Sequence, residues 1–249
     1  MERKDFLKRG FTSLLGMVAI NPLVTACQNG TNVDPADTTG GSTANGSTNG
    51  SSASDCAVTS SETAGPFPTK VPANFVRKDI REDRTGVMMT MNITIKNANA
   101  SCAALAGAIV DVWHCDKDGY YSEYGGTGMQ SANFTAVDFL RGRQVTDVSG
   151  LAAYTSIFPG WYSGRAPHVH VHIYNAAGKS LLVTQIAFPY AIANTLYTTG
   201  QAYGYTRGTH DTLNERDNVF SDGFTTELAT VSGSPSAGYT LTHTIVVSA

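Results

Sequence analysis

Apolar and polar residues alternate from Val87 to Asn97 (VMMTMNITIKN), a period of two that predicts a strand with one face buried. A short run rich in β-branched and aromatic residues, GAIVDVWHC, predicts a second, more deeply buried strand. LAAYTSIFP, HVHVHIY, LLVTQIAF and GYTLTHTIVVS extend the series, with clusters of Gly, Asn, Asp and Ser between them. Short strands separated by turn residues predict an all-β fold of the sandwich type. From Ile192 to Gly223 the chain becomes polar, aromatic and irregular, which predicts a short helix or a long functional loop. Neither an internal repeat nor a heptad pattern is visible.

The N-terminal end follows other rules. Residues 1–27 place Arg3, Lys4, Lys8 and Arg9 ahead of an apolar run from Phe11 to Val24. That run is shorter than the roughly 20 apolar residues of a membrane-spanning helix, and the layout is that of an export signal. Its end, LVTAC, resembles a bacterial lipobox, which implies lipid attachment at Cys27 and anchoring to the cell envelope. The start, RKDFLK, resembles a relaxed twin-arginine signal with Lys4 at the second arginine position. Residues 28–54 are almost entirely Gly, Ser, Thr, Asn, Asp and Ala, a composition that buries no core and predicts a flexible tether. The catalytic or binding domain is therefore expected at 55–249, a length sufficient for one core.

Of the 249 residues 15% are charged and the formal net charge is −3, which excludes nucleic-acid binding through a basic surface. Export permits disulfides. Cys56 opens the domain and Cys102 precedes a predicted strand, so they form the candidate pair, leaving Cys115 as a small buried residue.

Three of the six histidines fall in one strand. Side chains at i, i+2 and i+4 share a face, so His168, His170 and His172 point one way and Val169, Val171 and Ile173 the other. Two histidines at this spacing can ligate one metal; a solvated histidine stripe is the plainer alternative. Tyr162 lies just upstream, and DKDGYYSEY supplies a second tyrosine-rich turn. A mixed Tyr/His donor set suits iron, copper, zinc or nickel. A phenol with a pKa near 10 ligates as phenolate only to a strong Lewis acid, and two phenolates with two neutral imidazoles best match ferric iron.

At this point the motifs resemble those of a known family, the intradiol ring-cleavage dioxygenases that include protocatechuate and catechol dioxygenases. ETAGPFP, VDVWHCDKDGYYS, FLRGRQVTDVSG and YTSIFPGWYSGRAPHVHV stand in that family's order and span Glu62 to about Gln185. The resemblance implies a prealbumin-like β-sandwich with long loops and a mononuclear non-haem Fe(III). It assigns Tyr121, Tyr162, His168 and His170 as metal ligands, and Arg165, Tyr162 and Gln185 as catalytic residues. His172 falls beyond the ligand set, in a supporting or structural role, and Gly65, Pro66 and Phe67 run beside the site. The implied reaction is cleavage of an aromatic diol by O2 to a muconate-type diacid. A substrate carboxylate, as in protocatechuate, would need a cation, for which Arg141, Arg143 and Arg207 are candidates.

The family's soluble catechol enzymes carry an N-terminal helical dimerisation segment where this chain has a signal and a tether, which implies an exported member; oligomerisation is left open. Two rival readings remain. One is a non-catalytic sandwich that holds a metal or an aromatic ligand. The other is a zinc hydrolase using the three histidines, for which Asp147 is the nearest carboxylate base in sequence.

Overall fold

A computed structural model describes residues 56–126 and 128–249. The signal-like segment 1–27 with Cys27, and the tether 28–54, lie outside the described residues. Two sheets face each other across one core. The first contains β1 (Met88–Asn97), β2 (Ala103–Ala104), β5 (Leu151–Ile157), β8 (Thr230–Ser234) and β9 (Gly238–Val247). β1 pairs antiparallel with β5 and β2 along one edge, and parallel with β9 along the other, from Met89 opposite Tyr239 to Asn97 opposite Val247. The second sheet has the order β4 (Arg141–Val145), β3 (Ile109–Trp113), β6 (His168–Tyr174) and β7 (Ser180–Ala187), all antiparallel.

The alternation expected for β1 is present: Met89, Met91, Ile93 and Ile95 are fully buried, while Thr90, Asn92 and Thr94 are only partly so. They meet Val110, Val112, Val169, Val171 and Ile173 of the second sheet in one hydrophobic cluster. Burial of such side chains contributes about 1.5–3 kcal/mol each. The irregular stretch resolves into both alternatives: α1 (Tyr190–Thr199), then a long connection to β8. α1 buries Ala193, Leu196 and Tyr197. The Tyr197 hydroxyl donates to the carbonyl of Pro159 (2.9 Å) and that of Tyr205 to the carbonyl of Phe158 (2.7 Å), so this face of the helix region fixes the loop that follows β5.

The segment entering the domain is held on both sheets. Thr59 donates its N–H to Val246 in β9, and Glu62 donates to Val183 in β7. Cys56 and Cys102 form a disulfide with their Cα atoms 5.7 Å apart. Cys115 is free and buried beside Phe67, Trp113 and Tyr121. The disulfide closes a loop between residues 46 apart in sequence. Replacing both Cys56 and Cys102 by Ser is expected to lower the unfolding free energy by about 4 kcal/mol on loop-closure grounds. A urea titration reads this as a fall in midpoint; an unchanged midpoint would show that the cross-link contributes nothing.

Candidate metal centre

In β6 the valines and Ile173 take the core face, which turns His168 and His170 onto the outer face of the second sheet. Loops cover that face, so both histidines are buried. Register sets their neighbours. Arg141, Trp113, His170 and Gln185 stand opposite one another across β4, β3, β6 and β7. The Trp113 ring lies parallel to that of His170, 2° apart in plane with centroids separated by 5.0 Å. Gly65 packs on the imidazole from the entering segment. At its φ of +70°, any Cβ would sit 2.8 Å from His170 Cε1, so a side chain is excluded there both by backbone conformation and by space.

Two loops deliver the tyrosines. The Asp116 carboxylate accepts the N–H groups of Asp118 and Tyr120, both at 3.0 Å, and shapes the turn before Tyr121. The Gln130 amide then clamps Tyr121, accepting its N–H (2.7 Å) and donating to its carbonyl (2.8 Å), while Phe67 stacks on its ring. The second loop carries Tyr162. The carbonyl of Asp116 accepts the N–H of Gly160, and the Arg207 guanidinium donates to the carbonyls of Asp118 and Trp161 while lying over the Trp161 ring. The two tyrosine loops are thus tied to each other.

The four side chains converge. Tyr121 Oη lies 3.3 Å from His168 Nε2 and 3.2 Å from His170 Nε2; the two Nε2 atoms are 3.1 Å apart, and Tyr162 Oη is 3.4 Å from His168 Nε2. Donor bonds of about 2.0–2.2 Å to a shared metal place neighbouring donors roughly 2.9–3.5 Å apart, so these separations fit the edges of one coordination shell. The tautomer agrees. His168 Nδ1 lies 2.6 Å from the carbonyl of Ala166, which can only accept, so Nδ1 carries the proton and Nε2 presents its lone pair. Burial pushes the His168 pKa down to about 3, with Arg165 adding to the shift, and holds His170 well below the usual imidazole range. Both rings are neutral, as ligation requires. Burial also raises both phenols, Tyr121 most, so neither ionises without a strong cation in contact.

Arg165 and Gln185 join the cluster. Arg165 Nε donates to both oxygens of Asp217 at 2.9 Å, its Nη2 donates to Gln185 Oε1 at 2.6 Å, and its Nη1 lies 3.4 Å from Tyr162 Oη. Gln185 in turn donates to the carbonyl of Thr63. Asp217, fully buried and also accepting the N–H groups of Ala166 and Val219, is a positioning group that the sequence pattern does not single out. It sits in the polar connection after α1 with no periodicity around it; its only signal is the demand of a buried guanidinium for a counter-charge. Trp113 likewise becomes meaningful only once the register is known.

Other candidates lie elsewhere. His172 is half-buried and bonds to Ser180 Oγ and the Tyr174 hydroxyl, both at 2.8 Å. Among the described residues no three His, Cys, Asp or Glu side chains converge as a metal-binding group. Asp147 is spent on its own turn, accepting from Ser149 and Leu151. The three arginines considered for a substrate carboxylate are structural instead. Arg141 is fully buried on Ser122, Phe67 and Thr69, Arg143 pairs in bidentate fashion with Asp111, and Arg207 braces the tyrosine loops. Tyr162 and Arg165 border a pocket of about 630 Å³, shared with Thr63, Gly65, Pro66 and Met129 among others.

Comparison with known proteins bears on the family and the fold. A family model described as "Dioxygenase" matches residues 67–198, just over half of the chain. A chlorocatechol 1,2-dioxygenase of Rhodococcus opacus is 29% identical over 156 residues, which cover 52% of this chain and 56% of that protein. The match therefore spans little more than half the length of this curated relative. An intradiol ring-cleavage dioxygenase from Tetranychus urticae shares the fold with a TM-score of 0.67 at 24% identity, over 77% of this chain and 95% of the other. The dioxygenase domain of a dioxygenase–carbohydrate-binding fusion from Streptomyces sp. SirexAA-E gives 0.52 at 25% identity, over 76% and 97%. Together with the β-sandwich and the paired tyrosines and histidines, the family match establishes that this chain belongs to the intradiol ring-cleavage dioxygenases.

Proposed function

We propose that this chain opens the ring of a catechol-type diol between its two hydroxyl-bearing carbons, consuming O2 and forming a muconate-type diacid. Both oxygen atoms of O2 enter the product, so the reaction needs no external reductant. The carrying observation is the convergence of two phenol oxygens and two imidazole nitrogens, 3.1–3.4 Å apart, beside a pocket that Tyr162 and Arg165 border. Tyr121, Tyr162, His168 and His170 would hold ferric iron, whose charge offsets the burial cost of two phenolates. The chemistry such an ion supplies is Lewis acidity, which draws electron density from a bound diol and opens its ring carbon to O2.

The protein's own groups divide the remaining work. Tyr121 is fully buried between Phe67 and the Gln130 clamp and keeps its place. Tyr162 is only partly buried, on the pocket side, and its phenolate oxygen is the group able to take a proton from an arriving hydroxyl. Arg165 keeps a positive charge beside that oxygen and stabilises negative charge developing on the ring. Asp217 and Gln185 hold the guanidinium in position.

The chain is further read as an exported lipoprotein anchored through Cys27, with 28–54 as tether and 55–249 as catalytic domain. The Cys56–Cys102 disulfide supports this reading, since such bonds persist in oxidising compartments.

Three outcomes are expected. Iron-loaded protein should be burgundy from phenolate-to-iron charge transfer, and adding catechol under air should consume O2 and raise muconate absorbance. A colourless protein would refute the donor set, and a coloured but inert one would favour the binding module. Arg165→Ala should retain the colour yet lose about 10²–10³ in kcat; full activity would remove Arg165 from the mechanism. Cys27→Ser should shift the expressed protein from the membrane fraction to the soluble fraction, whereas unchanged fractionation would dismiss the anchor.

A further inference from the structure

β7 ends the second sheet, and two other segments close its outer edge. Glu62 of the entering segment donates its N–H to the carbonyl of Val183 (2.8 Å), and Ala187 donates to the carbonyl of Glu227 (2.9 Å). Gln185 stands between these two attachments, and the Glu227 side chain fills the interval. Its Oε1 accepts from Thr184 Oγ1 (3.2 Å), and its carboxyl takes the main-chain N–H of Gln185. Glu227 is fully buried, and its Oε2 has no partner among the described residues. Glu62 likewise buries Oε1 without a partner. Two buried carboxyl oxygens thus lack a donor, on groups close enough for the charge of Glu62 to act on Glu227. The ring-cleavage steps above use neither residue.

The charges that act on this pair are mostly negative. Glu62 and Asp222 act on Glu227, and Asp222, Asp217 and Arg165 act on Glu62. Arg165 is itself already paired with Asp217. From β9, His243 bonds to the main chain of Thr226, and burial pushes it down to about 4, so it brings no positive charge at neutral pH. A buried acceptor without a donor is costly, and neighbouring carboxylates disfavour each other's ionisation. A proton on Glu227 relieves both, because it makes one acceptor a donor and leaves one negative charge in place of two. Burial, and after it the Glu62 charge, accordingly raise the Glu227 carboxyl to about 8, and burial raises Glu62 as well. A short path leads from this pair to the candidate metal centre. Thr63, next to Glu62, accepts Gln185 Nε2 at 2.8 Å, and Gln185 Oε1 accepts Arg165 Nη2 at 2.6 Å.

Resting on the ring-cleavage reading above, we propose that Glu227 works as a neutral carboxyl with its proton directed at Glu62, and that it is a positioning residue which, through Thr63 and Gln185, holds Arg165 in place for the reaction. When solvent base removes that proton, two buried negative charges repel. Glu62 and Thr63 then move off β7, Gln185 loses its carbonyl acceptor, and Arg165 loses one of the groups that fix it.

The test follows the full-length chain across pH, iron-loaded for turnover of catechol and metal-free for stability. The kcat of the unaltered protein should fall as pH rises through about 8, by about tenfold one pH unit higher, where the neutral carboxyl is the minor form. Glu227→Gln, of the same shape and neutral at every pH, should keep its kcat across that range. Its charge-transfer colour should be unchanged, since none of the four proposed metal ligands is altered. Glu62→Gln should move the fall to lower pH, because the charge that raises Glu227 is gone. A merely structural role would lower kcat evenly across pH in both variants. Stability supplies a readout independent of turnover. The folded protein keeps the Glu227 proton up to about 8 and the unfolded chain releases it near 4.5, so the stabilisation is complete below 4.5 and is lost as pH rises through 8. Between about pH 5 and 8 the urea midpoint of the metal-free protein should therefore fall further than that of Glu227→Gln. An alkaline fall in kcat that survives Glu227→Gln would overturn the proposal, as would a midpoint difference that stays constant with pH. Should Glu227→Gln not fold, the Glu62→Gln profile decides, and a fall at the unaltered pH counts against the pair. A midpoint difference that grows with pH in a protein without O2 uptake would uphold the neutral carboxyl and remove the ring-cleavage reading.

Discussion

The site depends on the two-residue period of β6. One face of that strand must fill the core with Val169, Val171 and Ile173, and the opposite face then carries His168 and His170 side by side with no freedom to diverge. A slip of one residue in pairing with β3 or β7 would drive the imidazoles into the core and the valines into the loops. The hydrophobic effect that holds the sandwich together therefore also sets the spacing of the two imidazoles. The tyrosines have no such guarantee. They sit on loops, and their positions rest on polar devices: the Asp116 turn, the Gln130 clamp and the Arg207 brace.

Buried arginine carries much of this construction. Arg141 bridges the entering segment, the Tyr121 loop and β4, and burial lowers its pKa to about 10 without discharging it at neutral pH. Arg165 is held by a carboxylate and an amide. Each has Nε and both terminal nitrogens in hydrogen bonds, which is the kind of pairing that makes a buried cation tolerable. The consequence is rigidity around the two tyrosines and two histidines.

The parts of the fold written in periodicity were legible: β1, β3, β5, β6, β7 and β9 coincide with the alternating or apolar runs. β4 was not, because Arg141, Gly142 and Arg143 present no hydrophobic face; a buried guanidinium replaces the apolar side chain that would have signalled it. β8 is short and rich in small polar residues, and β2 has two residues, so neither carries a pattern. At the site, the histidine pair followed from strand geometry and the tyrosines from motif order. Asp217 and the stacking of Trp113 on His170 were invisible, because each depends on a contact between segments distant in the chain.

The parallel pairing of β1 with β9 sets the order of assembly. The inner edge of the domain's first long strand stays unsatisfied until the domain's last strand has emerged, because on that edge Met89 through Asn97 pair with Tyr239 through Val247. Non-local pairing of this kind is slow to form. Completion of the first sheet must therefore follow synthesis of essentially the whole domain, and a nascent chain exposes a sticky, half-paired β1 throughout that interval.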